Sequence, residues 1–356
     1  MLKRYDISLF TILMLLLAAS LVSCEKESDD PAPDKTPIKF GDVETRAVVE
    51  SEESMKTGGF GVFGYVSDVT DPLFDNVNVT WDADKKVWTY GDPKYWIPSH
   101  KHHFFAYYPY FDGKTEGPIT SVAANDNGEI GYQLTFVTPE TAAFDLLTAY
   151  TTRDTGADNF DASEPVSLAF THALVNVNLN IWRDDVNHNS DQMRIIYVTL
   201  GNIRKSGTYS SDEDKWEPTN DKITLEKIYE NLTDSDNIGS ARVNTDGTLT
   251  PGVYDPAKPF TDQLLIPQTI DASNKVSLKI YYQLWRDTGD DTDPNATKKW
   301  EDAELEAYLP YGTWEPNRRY TYNVVLSSVK DITFYYIQTK ISPWGAPQVG
   351  GTIIIK

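Results

Sequence analysis

From about residue 60 onward, apolar residues recur at every second position in short runs, and clusters of Gly, Pro, Asn and Asp separate the runs. The clearest case is Val175, Val177, Leu179 and Ile181, interleaved with Asn176, Asn178 and Asn180. A period of two puts one face of a strand in a core and the other in water. The segment GFGVFGYV, with Phe60 and Val62, has the same character. NVNVTWDADKKVWTY reads as two strands around an Asp-Ala-Asp-Lys turn, and HHFFAYYPYF, YQLTFVT and DLLTAYTT follow. The second half repeats the style in RIIYVTLGNI, SARVNTDGTLTP, DQLLIPQTI, KVSLKIYYQLW, AELEAYLP, RRYTYNVVLSS, ITFYYIQTKI and GTIIIK. ITLEKIYENL is the best short helix; no long stretch carries a 3.6 period. The pattern predicts an all-β protein built as two tandem β-sandwiches. The turn-rich RDDVNHNSDQ is the candidate boundary, dividing an N-terminal sandwich at 47–186 from a C-terminal one at 187–356.

The N-terminus has a different pattern. Lys3 and Arg4 precede an apolar run over 7–21 that only Ser8, Thr11 and Ser20 interrupt. That is the h-region of a secretory signal, too short and too N-terminal for a membrane span. Leu21-Val22-Ser23-Cys24 then reads as a lipobox, with residues 1–23 as signal peptide and Cys24 as the first mature residue. Cys24 is the sole cysteine of the chain. Acylation there would anchor the protein, since each buried methylene contributes about 0.8 kcal/mol. The alternative is an ordinary signal peptide with an incidental cysteine. With one thiol, no disulfide forms within the chain, and a hydrophobic core must hold the fold. Residues 24–46 form a tether and propeptide, in which EKESDDPAPDKTP, directly after Cys24, is charged and without apolar period.

Composition narrows the function. A net charge of −21 argues against nucleic-acid partners, because phosphates are repelled. Tyr (21), Phe (14) and Trp (9) are abundant and Met (4) is scarce, as expected of a β-rich core. Metal chemistry has two weak candidates. His100 and His102 would share a strand face beside His103, without a second cluster at matching spacing. Asp287, Asp290, Asp291, Asp293 and Asn295 resemble a calcium loop but contain Pro294 and lack the loop glycine. No G-x-S-x-G, H-E-x-x-H or P-loop is present. The expectation is no enzyme, no cofactor and no metal. Trp81, Trp88, Trp96, Trp285, Trp300 and Trp314 leave one alternative open, a lipid-anchored surface protein that stacks glycans on its tryptophans.

GFGVFGYV, KYWIPSHKHHFFAYYPY, DLLTAY, VSLAFTHALVNVNLNI, LLIPQ and WEPNRRYTYNVVL, in that order behind a lipobox, resemble the fimbrillin-like lipoproteins of Bacteroidales. These are type V pilins and their accessory subunits, and the resemblance runs from about residue 38 to the C-terminus. It implies two transthyretin-like β-sandwiches and export as a lipoprotein to the cell outer membrane. It further implies maturation by an arginine-specific protease and assembly with other fimbrial subunits by strand exchange, for adhesion to host or bacterial surface receptors. The acidic residues after Cys24 are similar to the surface-export signal of Bacteroidetes lipoproteins. The resemblance does not separate stalk, anchor and tip subunits.

Two segments fit that scheme on their own chemistry. Ile38-Lys39-Phe40 is a short strand, and Arg46 follows it in a polar stretch. Cleavage between Arg46 and Ala47 would remove anchor and strand together and leave an unpaired edge that invites strand addition. The alternative reading of Arg46 is one charged loop residue among many. At the far end, Thr352, Ile353, Ile354, Ile355 and Lys356 follow a Pro- and Gly-containing spacer. Ile353 and Ile355 share a face. The segment is either a donor strand or the last strand of its own sheet, and both need the same alternation.

Overall fold

The computed structural model describes residues 36–45, 52–126, 129–140, 144–184, 192–233, 237–252, 255–286, 299–326, 335–343 and 351–354. The first part of the chain runs β1 (Phe40–Thr45), α1 (Glu52–Gly58), β2 (Phe60–Val66), β3 (Phe74–Asp82), β4 (Val87–Thr89), β5 (Lys101–Tyr108), β6 (Ile119–Ala124), β7 (Tyr132–Val137), β8 (Leu147–Asp154) and β9 (Val166–His172). It continues through β10 (Val175–Asp184), β11 (Met193–Arg204), β12 (Ser206–Ser210), β13 (Lys215–Pro218), β14 (Lys222–Ile228), β15 (Ser240–Val243), β16 (Leu249–Pro251) and β17 (Ala257–Leu265). The last strands are β18 (Gln268–Ile270), β19 (Ser277–Arg286), β20 (Lys299–Tyr308), β21 (Gly312–Trp314), β22 (Arg318–Leu326), β23 (Tyr335–Pro343) and β24 (Gly351–Ile354). The all-β expectation is met.

Seven strands form the first sheet in the order β1-β9-β8-β5-β2-β3-β4. The sheet curls until its two edge strands, β1 and β4, touch. Inside the curl lies an aromatic core with Phe40, Phe60, Phe74, Trp88, Trp96, Phe104 and Phe170. The short helix α1, which the periodicity did not signal, buries Met55 in the same core. The other face of the sheet carries Phe63, Tyr65, Phe105 and Tyr107 into a second core. Strand β2 is therefore buried along its whole length, whereas a half-wet strand would alternate.

The second core is closed by a four-stranded sheet, β13-β12-β7-β6. Its hairpin β12–β13 lies on the C-terminal side of residue 187, yet it pairs with β7, Tyr209 opposite Leu134. Burial of Tyr209 and Trp216 holds it there, and Trp216 Nε1 donates to the Ala173 carbonyl at 2.7 Å.

A third core fills the space between two further sheets. One runs β16-β15-β10-β22-β23-β24, with β17 also paired to β10; the other is β14-β11-β19-β20. Val175, Val177, Leu179 and Ile181 of β10 point into this core, as their spacing predicts. They share it with Leu278, Ile280 and Tyr282 of β19. The segment expected as a helix, ITLEKIYENL, is instead strand β14 over its first part. Ile223 and Leu225 point inward while Thr224 and Glu226 face out, and pairing with β11 satisfies the backbone. Tertiary burial of two residues at period two outweighs local helix propensity.

Candidate functional site

Strand β1 begins as a parallel partner of β9, with Phe40 opposite Val166, Val43 opposite Leu168 and Thr45 opposite Phe170. The Val166 N–H donates to the Lys39 carbonyl at 2.7 Å, and the Ile38 N–H donates to the Lys94 carbonyl at 2.8 Å. Tyr90 Oη donates to the Ile38 carbonyl at 2.5 Å. The strand thus sits in the seam where the curled sheet meets itself, bonded to β9 on one side and to the segment after β4 on the other. Its ordered pairing extends to Thr45, past the Ile38-Lys39-Phe40 stretch that the sequence marks.

The seam is apolar at its centre. Ile38 and Phe40 are 1% and 4% exposed. The Phe40 ring meets those of Phe74, Tyr90, Phe60 and Phe104 edge-on, with centroids 5.7, 5.8, 6.1 and 6.1 Å away. Burial pushes the Tyr90 phenol above its ordinary range and keeps it a donor to the strand. At Gly41 a Cβ would come within 2.7 Å of Pro165 Cβ, so the close approach of β1 to the chain before β9 requires glycine there.

Arg46 and Ala47 directly follow the last residue of β1 and lie outside the described residues, as does Cys24. At the opposite end of the chain, β24 runs antiparallel along β23, Gly351 opposite Ile341, Thr352 opposite Lys340, Ile353 opposite Thr339 and Ile354 opposite Gln338. It is the edge strand of its sheet, with β23 as its one partner among the described strands. Ile355 and Lys356 lie outside the described residues.

The histidines that the sequence placed on one face have separate surroundings. His102 is fully buried against the Trp96 ring, and its Nε2 accepts from the Ile97 N–H at 3.2 Å. That hydrogen bond occupies the lone pair a metal would need. His100 Nδ1 faces the Pro98 carbonyl at 2.7 Å, and His103 Nδ1 faces Tyr150 Oη at 2.8 Å. Among the described residues, no group of three or more His, Cys, Asp or Glu is arranged to hold a metal ion. The acidic loop at 287–295 lies outside them. Of the tryptophans, Trp88, Trp96 and Trp314 are core residues. Trp81, Trp285 and Trp300 are half-buried, with Lys56 Nζ 4.6 Å from the Trp81 ring and the Arg194 guanidinium 4.2 Å from the Trp300 ring. Among the described residues no helix is long and apolar enough to cross a membrane.

No curated protein matches the chain. Among solved structures, it is similar to a fimbrial protein from Bacteroides vulgatus, at 19% identity and a TM-score of 0.61, covering 86% of this chain and 99% of that one. It also matches candidate cell adhesion proteins from Bacteroides ovatus (13% identity, TM-score 0.45, 88% and 99% covered) and Bacteroides uniformis (15%, 0.39, 81% and 91%). The model of the family described as Fimbrillin-like matches residues 45–344. The chain therefore belongs to the fimbrillin-like family.

Proposed function

We propose that the chain is a structural subunit of a cell-surface fimbria, a type V pilus, that serves adhesion. In this reading it is exported as a lipoprotein acylated at Cys24 and held at the outer membrane. An arginine-specific protease then cuts between Arg46 and Ala47, and the subunit joins other fimbrial subunits by exchange of a β-strand.

The observation that carries the reading is the seat of β1. The strand ends at Thr45, directly before Arg46, and its Phe40 lies at the centre of an aromatic core. Cutting after Arg46 makes β1 a separate peptide held by noncovalent contacts alone. If it leaves, β9 loses the partner of its outer edge and the core loses Ile38 and Phe40. Each such side chain contributes about 1.5–3 kcal/mol on full burial. That is a large part of the ~5–15 kcal/mol by which a domain is stable. The matured subunit would thus favour a replacement strand, supplied by another subunit. Backbone pairing gives such a strand its direction, and alternate apolar side chains give it register. Residues 352–356 are the proposed donor, because 352–354 belong to the edge strand β24 and the sequence places Ile353 and Ile355 at alternate positions. A head-to-tail contact of this kind does not close on itself, and so builds a filament.

The reading is tested on the surface fraction of cells, blotted for the protein without boiling. A fimbrial subunit appears as a ladder of SDS-resistant multimers of clipped chains. An anchored glycan-binding lipoprotein, the competing reading, appears as one uncut, acylated monomer.

A further inference from the structure

The first sandwich is open along one side. Past the end of the four-stranded sheet, a cleft of about 380 Å³ lies over strands β8 and β9. The volume is at the lower end of the ~300–1,000 Å³ typical of small-molecule sites. Its walls combine aromatic rings, Phe105, Tyr132, Tyr150 and Tyr209, with the carboxylates Asp212 and Asp214. Among the described residues, no lysine or arginine lines it.

The polar groups are fixed before any ligand arrives. Tyr209 Oη donates to Asp214 Oδ1 at 2.7 Å. Ser210 Oγ and Asn125 Nδ2 donate to Asp212 Oδ1 at 2.6 and 2.9 Å. Burial works to raise the Asp212 carboxyl, but these hydrogen bonds outweigh it and keep the group below the ordinary carboxylate range. It is therefore ionised at neutral pH and has lone pairs left to accept. Opposite, Tyr150 is 53% exposed, unusual for an aromatic on a strand. Its ring is stacked on Phe105 with centroids 4.6 Å apart, and its hydroxyl is held by His103. One ring face is thus supported and the other is presented outward.

A rigid, exposed aromatic face beside oriented carboxylates and hydroxyls suits one ligand chemistry above others. A pyranose ring lays its C–H face on an aromatic and donates adjacent hydroxyls to carboxylate oxygens. The charge of the cleft decides the subclass. Two carboxylates without a cation, on a chain of net charge −21, repel sialylated, uronic or sulfated sugars. We propose that this cleft binds an uncharged saccharide, with Tyr150 as stacking platform and Asp212 and Asp214 as hydroxyl acceptors. The proposal goes beyond the fimbrial reading by naming a receptor class. It rests on the cleft alone, so it stands or falls separately from the ladder experiment.

Saturation-transfer NMR on the purified full-length chain tests it. The probes are the methyl glycosides of glucose, galactose, mannose, fucose and N-acetylglucosamine, with N-acetylneuraminic acid as charged control. At least one neutral glycoside should show transfer, and N-acetylneuraminic acid none. Tyr150→Ser or Asp212→Asn should reduce the neutral signal at least fivefold. Tyr150 is exposed, so the variant is expected to fold; if its thermal melt shows otherwise, Asp212→Asn alone decides. No transfer from any neutral glycoside overturns the proposal. So does transfer undiminished in every folded variant, or transfer from N-acetylneuraminic acid equal to that from the neutral sugars.

Discussion

The Phe40 ring stands edge-on to the Phe104 ring, with centroids 6.1 Å apart and planes at 88°. This contact ties a strand that precedes Arg46 to β5, in the middle of the curled sheet. A segment that reads as part of a propeptide is therefore a working part of the core in the uncut chain. Phe40→Ala should destabilise the uncut chain by about 3–5 kcal/mol, the usual cost of removing a buried phenylalanine. Urea unfolding of uncut protein measures it, as a lower midpoint at constant slope. The same chain cut after Arg46, with β1 removed, should show a comparable or larger loss. An unchanged midpoint in Phe40→Ala would mean that β1 is not bound in the seam in solution.

Burial within the first core also sets a pH dependence. Burial is the main cause that lowers the His102 imidazole from 6.5 to about 4. In the unfolded chain the same group takes up a proton below about 6.5. Between pH 6.5 and 4 the unfolded state therefore binds more protons, and stability falls as the pH falls. Desolvation lowers His103 in the same direction, so it adds a smaller effect of the same sign. Replacing His102 with Gln, whose amide oxygen can still accept from the Ile97 N–H, should flatten the decline of the urea midpoint between pH 7 and pH 4.5. A His102→Gln profile parallel to the wild type would contradict the assignment.

The terminal edge has a different role in the account. Strand β24 adds to the outer side of β23 and has no further partner among the described strands. Deleting residues 352–356 should leave a folded monomer whose thermal midpoint shifts by a few degrees and which forms no multimers. Ile353→Asp with Ile355→Asp should act like the deletion, because in a donor strand these two alternate isoleucines would share one face and each contribute about 1.5–3 kcal/mol on burial in the neighbour. Lys356→Ala should be nearly silent. A deletion that unfolds the chain would make the strand integral to its own sheet. A folded deletion that still forms multimers would place the donor elsewhere.

What the sequence discloses of this molecule follows from what a period of two can encode. Val175, Val177, Leu179 and Ile181 are legible because one face of β10 is core. Asn176 breaks the pattern: it is fully buried, since its amide donates to Asp262 at 2.7 Å on the neighbouring β17. Strand β2 hides its environment for the opposite reason, as apolar neighbours cover both faces. The passage of β12–β13 into the first sandwich leaves no periodic trace at all. It depends on where Tyr209 and Trp216 find a core, a long-range matter. The seam strand was only half visible. Ile38 and Phe40 alternate as a strand should, but the ring cluster around Phe40 gathers residues from β2, β3, β5 and the segment after β4. The open cleft is not visible either, because Tyr150 is far in sequence from Asp212 and Asp214, and each is ordinary by itself.

The central claim is that β1 leaves with the propeptide and that a strand from another subunit takes its place. N-terminal sequencing of multimers isolated from the cell surface tests it most directly. The account predicts a single sequence beginning at Ala47, with no peptide from 38–45 in the assembled material by mass spectrometry. Multimers whose chains begin at acylated Cys24, or that retain the 38–45 peptide, would contradict it.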